Sequence, residues 1–218
     1  MWAEQLWPRW METCEGVADT AVLAALFADL VRHYEENGRY YHNLQHIYHM
    51  FTVADSLAYP IVDPVTFELA LWYHDVIYNP RALDNEQQSA RYVAGVLPQL
   101  GITTGQIERI QQMILATAHG AGETAVFDSD TCYLLDLDLA ILGAEPMTYN
   151  RYSQAIRREY AHIPDALYRQ GRAAILQQFL QRPHIYHTEP MRQLYEAHAR
   201  QNLQRELHEL LQSSDHYD

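Results

Sequence analysis

Apolar residues recur three and four positions apart along most of the chain. In residues 18–38, ADTAVLAALFADLVRHYEENG, Val22, Leu23, Leu26, Leu30 and Tyr34 keep that spacing and Gly38 follows as a stop. Residues 42–60, HNLQHIYHMFTVADSLAYP, carry Leu44, Ile47, Phe51, Ala54 and Leu57 on a helix that begins near Asn43 and ends before Pro60. Asp63 and Pro64 are an N-cap and a first helical residue for DPVTFELALWYHDVIYNP, which runs to Asn79–Pro80. Asp84 and Gln87 have the spacing of a capping box, and the helix they open closes at Gly101. Ile107, Ile110, Ile114 and Leu115 share one face of the next. Residues 128–146, DSDTCYLLDLDLAILGAEP, are apolar nearly all round, which predicts a buried central helix. Three more helices follow at about 148–161, 164–181 and 190–212, broken at Pro164 and at RPHIYHTEP. No strand-period segment, repeat or long linker interrupts the series. The pattern predicts one all-α domain over residues 1–218, with the helices of about 148–212 packed on it.

Charge narrows the function classes. Residues 1–150 hold 6 Arg against 20 Asp and Glu, whereas residues 151–218 hold 9 Arg against 8, for a net charge of −13. An acidic body repels phosphate backbones and anionic bilayers, so neither nucleic acid nor membrane is an expected partner. All 15 basic residues are Arg. That excludes a Schiff-base lysine and a P-loop lysine, and leaves phosphate to Arg, His, backbone N–H groups or a metal. The absence of an export signal and of a span-length apolar run, with two unpaired cysteines (Cys14 and Cys132), predicts a cytoplasmic protein.

Three polar groups stand out against the apolar helices. His74 and Asp75 lie together in LALWYHDVIY, where a buried carboxylate needs a counter-charge, and a divalent cation shared by both serves as well as a His–Asp hydrogen bond. His42 and His46, in YYHNLQHIYHMF, are four apart and so face one side of a helix, with His49 one turn beyond His46. Asp136 and Asp138, in YLLDLDLAIL, are about 200° apart on a helix, so at least one is buried and needs a cation or an Arg.

The order His, His–Asp, Asp, each in apolar helix, resembles the HD superfamily of helical metal-binding bundles. YHNLQH resembles the Tyr-His-Asn-x-x-His element of cyclic-nucleotide phosphodiesterases. From about residue 30 to residue 210, DLDLAILG, AIRREYAHIPDALYRQGR and RPHIYHT resemble a bacterial family of predicted metal-dependent HD phosphohydrolases. The resemblance implies a single-domain HD-type bundle. It implies metal ligands at His46, His74, Asp75 and Asp138, with His42 as proton donor to the leaving oxygen. It implies a divalent ion, Mn, Fe, Co, Ni, Zn or Mg, and hydrolysis of a small phosphate ester such as a nucleotide or cyclic nucleotide. An HD-type di-iron oxygenase and a non-catalytic module with a structural metal are the alternatives. Only His119 lies among candidate second-metal histidines between Asp75 and the aspartates, which favours one ion, or a second bound weakly; Glu86 is a candidate contact to the site. Arg157, Arg158, Arg172 and Arg182 are candidates for an anion pocket or a solvated face. Tyr41, Tyr73 and Tyr78 are candidates to line a pocket. The oligomeric state is not legible in the sequence.

Overall fold

The computed structural model describes residues 1–118 and 126–212, and among them every regular element is helical. The chain divides into two compact units, Met1–Leu137 and Asp138–Asp218. The division falls inside a continuous helical run rather than at a linker, ahead of the change in charge near residue 150.

The first unit contains α1 (Trp2–Thr13), α2 (Thr20–Tyr34), α3 (Leu44–Leu57), α4 (Pro64–Tyr73), α5 (Asn85–Val96), α6 (Thr104–Ala116) and most of α7 (Ser129–Asp138). Three starts follow from short side chains that take an otherwise unbonded helix N–H: Asp19 accepts from Val22, Asn43 from Gln45 and Asp63 from Thr66. α1 packs on α2, α3 and α4, and α6 packs on α4 and α5. Trp10, Trp72, Phe51 and Phe67 are buried at the centre, and Trp10 meets Trp72 edge to face at 5.6 Å. Asp130, fully buried, accepts from the backbone N–H groups of Val62 and Asp63 and from Arg109. It thereby ties α7 to the start of α4.

Several local expectations are corrected. The capping box at Asp84 does not form, because the Asp84 carboxylate takes the Gln88 side chain instead. A complete box stands at Thr103 and Gln106. Leu115 is 39% exposed, and Met113 takes the buried place on α6. The central helix is buried as expected, but it tightens after Asp138 into a 3₁₀ segment, Leu139–Gly143.

The second unit contains that segment with α8 (Pro146–Glu159), α9 (Asp165–Gln181) and α10 (Glu189–Gln212). α10 lies against Leu139–Gly143 and α9. Gly143 is required there: a Cβ at this position would stand 2.7 Å from the Tyr195 carbonyl oxygen. Arg172 on α9 and Glu206 on α10 form a buried two-pronged ion pair of 2.9 and 3.0 Å, and Tyr149 and Ser153 of α8 donate to the same carboxylate. No helix among the described residues is long and apolar enough to cross a membrane.

Candidate metal centre

His46 sits one turn into α3, on its buried face with Ile47 and Met50. His74 and Asp75 were expected within a helix. They lie at its end, since α4 closes at Tyr73 and His74 is its C-cap. The backbone leaves the helix because its next polar groups are taken by others. Arg39 binds the carbonyls of Asp75 and Val76, and Ser89 binds the N–H of Ile77.

This ending brings three donor atoms together. His46 Nε2 and His74 Nε2 are 3.2 Å apart, and Asp75 Oδ2 is 3.1 Å from His74 Nε2. The ligand atoms of all three residues lie within 4.8 Å of one another. His46 and His74 are 2% and 1% exposed, and the Asp75 side chain 15%.

The protonation pattern follows from one further contact. His74 Nδ1 is 2.9 Å from the carbonyl oxygen of Leu71, which can only accept, so Nδ1 carries a hydrogen. In the neutral ring Nε2 is then a lone pair facing a carboxylate oxygen and a second imidazole nitrogen. Like-signed atoms at this range repel unless a proton or a cation lies between them. Two ligands about 2.0–2.1 Å from one ion stand about 2.9–3.4 Å apart at tetrahedral or octahedral angles, which accommodates the observed separations. A carbonyl that fixes the remote nitrogen is also the usual outer support of a metal-bound imidazole. The donor set therefore fits a divalent transition metal.

The remaining expected residues fall as follows. His42 does not share a helical face with His46, since it precedes the N-cap Asn43. It is brought close another way: its ring stacks on Tyr78, centroids 4.1 Å apart and planes at 24°, and lies 6.2 Å from the His46 ring. Asp138 is the last residue of α7 and the first of the second unit, and it is partly exposed. Asp136 is fully buried, as one of the two aspartates had to be. Glu86 occupies the first turn of α5, outside the His46–His74–Asp75 group. His119 lies outside the described residues. Tyr41 stands 4.8 Å from the His46 ring, whereas Tyr73 is buried in the core, and that burial holds its hydroxyl well above the usual tyrosine range.

Of the arginines, Arg172 is committed to Glu206. Arg157 is held by Asp165 and by the carbonyls of Tyr160 and Ile163. Neither forms an anion pocket. His49, one turn beyond His46, is half-buried, and its Nε2 has no hydrogen-bond partner among the described residues. Burial, and then the nearby His46, hold its pKa below the usual histidine value. Burial pushes the Cys14 thiol up to about 12, which leaves it protonated and unreactive. Comparison with protein families, with curated proteins and with solved structures finds no match to this chain.

Proposed function

We propose that the chain is a metal-dependent phosphohydrolase of the HD type that acts on a small phosphate ester, a nucleotide or cyclic nucleotide. The observation that carries this reading is the convergence of His46 Nε2, His74 Nε2 and an Asp75 oxygen in a buried setting, at separations that suit ligands of one ion. Asp138 is implied as the last ligand by the resemblance in sequence alone, and it is not part of the His46–His74–Asp75 group. Imidazole and carboxylate donors accept Mn, Fe, Co, Ni or Zn.

A divalent ion held by His46, His74 and Asp75 would supply Lewis acidity to the phosphoryl oxygens and would lower the pKa of a nucleophilic water. His42 gives its proton to the leaving oxygen, so that an alcohol rather than an alkoxide departs. Tyr78 stacks on the face of the His42 ring and fixes its plane.

A panel of nitrophenyl phosphate, bis(nitrophenyl) phosphate, nucleoside monophosphates and cyclic nucleotides, assayed with Mn²⁺ or Co²⁺, tests the reaction. Turnover that needs the metal and disappears in His74→Ala supports it. A metal-loaded chain that hydrolyses no member of the panel overturns it.

A further inference from the structure

Arg39 opens the stretch RYYHNLQH, and the proposed reaction gives it no part. Its side chain is only 2% exposed. Nη1 donates to the carbonyls of His42 at 3.3 Å and Asp75 at 2.6 Å; Nη2 donates to the carbonyl of Val76 at 2.9 Å and to Glu36 at 3.3 Å. The guanidinium also lies 5.3 Å from the centre of the Tyr34 ring and 5.7 Å from that of Tyr78, the ring on which His42 stacks.

These partners belong to two separate segments. His42 begins the stretch that leads through Asn43 to His46, and Asn43 returns a bond to the Arg39 carbonyl. Asp75 and Val76 form the turn immediately behind His74. One planar cation thus bridges the backbone of both halves of the metal centre, and it neutralises the carbonyl end of α4 where that helix closes. A buried guanidinium is costly to desolvate, and an apolar side chain of the same volume is often as stable or more so. What an apolar side chain does not supply is a fixed angle between donors that reach two segments at once.

We propose that Arg39 is a positioning residue of the metal centre: it fixes the segment carrying His42 and His46 against the turn carrying His74 and Asp75. The donor separation that suits an ion then depends on a residue that does not touch it. This inference rests on the metal-site reading above. Three of the four bonds from Arg39 go to backbone oxygens of the segments that carry the functional side chains, and the fourth goes to the Glu36 carboxylate, so loosening the bridge moves those side chains without removing any of them.

Cobalt(II) is the probe, because its visible absorption reports both affinity and ligand geometry. The chain is titrated with Co²⁺ as wild type, Arg39→Gln, Arg39→Lys and Arg9→Gln. Arg9 serves as control: it bonds Asp55 of α3 at 2.8 Å and Glu68 of α4 at 2.9 Å, so it links the same two helices but at neither of the segments that Arg39 bonds. The expected result is Co²⁺ binding at least tenfold weaker, with an altered spectrum, in both Arg39 variants. Arg9→Gln lowers the melting temperature and leaves Co²⁺ affinity unchanged. Should Arg39→Gln fail to fold, Arg39→Lys alone gives the answer, since it keeps the charge and loses the fork. Wild-type affinity and spectrum in Arg39→Lys overturn the inference. So does an equal loss in Arg9→Gln, which would mean that affinity follows overall stability. A wild-type chain that binds no Co²⁺ removes the metal site itself, and Arg39's role falls with it.

Discussion

Leu71 determines which nitrogen of His74 is available. Its carbonyl takes the Nδ1 hydrogen and leaves Nε2 to face His46 and Asp75. Asp75 is then the anionic member of the set, and without it the ion loses charge compensation. Asp75→Ala is expected to abolish metal binding and any hydrolysis, as elemental analysis and the phosphate-ester assay would record; stoichiometric metal in that variant would make Asp75 merely structural. His42→Ala is expected to keep the metal and to lose about 10²–10⁴-fold in rate, with a smaller loss on nitrophenyl esters, whose leaving group needs little protonation. Metal lost in His42→Ala but kept in His46→Ala would exchange the two roles. His46, His74 and Asp75 were legible in the sequence because ionisable groups inside apolar helix need partners. The nearness of His49 to His46 was legible in the helical spacing, but its burial was not, because burial depends on packing that no local pattern encodes.

Helix starts were easier to read than helix ends, for a physical reason. Asp19, Asn43 and Asp63 bond an N–H two or three residues away, so the signal lies within the start itself. The end of α4 depends on Arg39 and on Ser89, which come from 34 residues before Tyr73 and 16 residues after it in the numbering. The period of the apolar residues therefore continues past Tyr73 while the helix does not. In the second unit, α8, α9 and α10 meet at a carboxylate that no pattern singled out. Burial raises the Glu206 pKa, but the bonds from Arg172, Tyr149 and Ser153 outweigh it and leave the carboxyl below its usual value. Below the ordinary glutamate pKa of roughly 4.3 the unfolded chain binds a proton that the folded chain does not, so stability falls with pH in that range. Glu206→Gln is expected to cost about 3–5 kcal/mol near neutrality, because Arg172 is left buried without its counter-charge. It is also expected to flatten the acid limb of the stability curve below that pKa. Urea unfolding of both proteins from pH 3 to 7 measures the two effects together; parallel curves would contradict the assignment of that limb to Glu206.

Taken whole, the chain combines an all-α fold with a net charge of −13 and no lysine. Those features fix the helical class and the kinds of phosphate chemistry available, but they do not fix which residues meet. Residues 28 apart in the sequence, His46 and His74, face each other only because α3 packs beside α4 and α4 ends where it does. The account stands on the claim that this meeting point holds a metal ion. Elemental analysis of the protein purified without chelator, and again after reconstitution with Mn, Fe, Co, Ni and Zn, tests it most directly. The account predicts close to one ion per chain in the wild type and almost none in His46→Ala and His74→Ala, with helical content unchanged by circular dichroism. A folded wild-type chain that carries no metal as purified and takes up none of the five would contradict it.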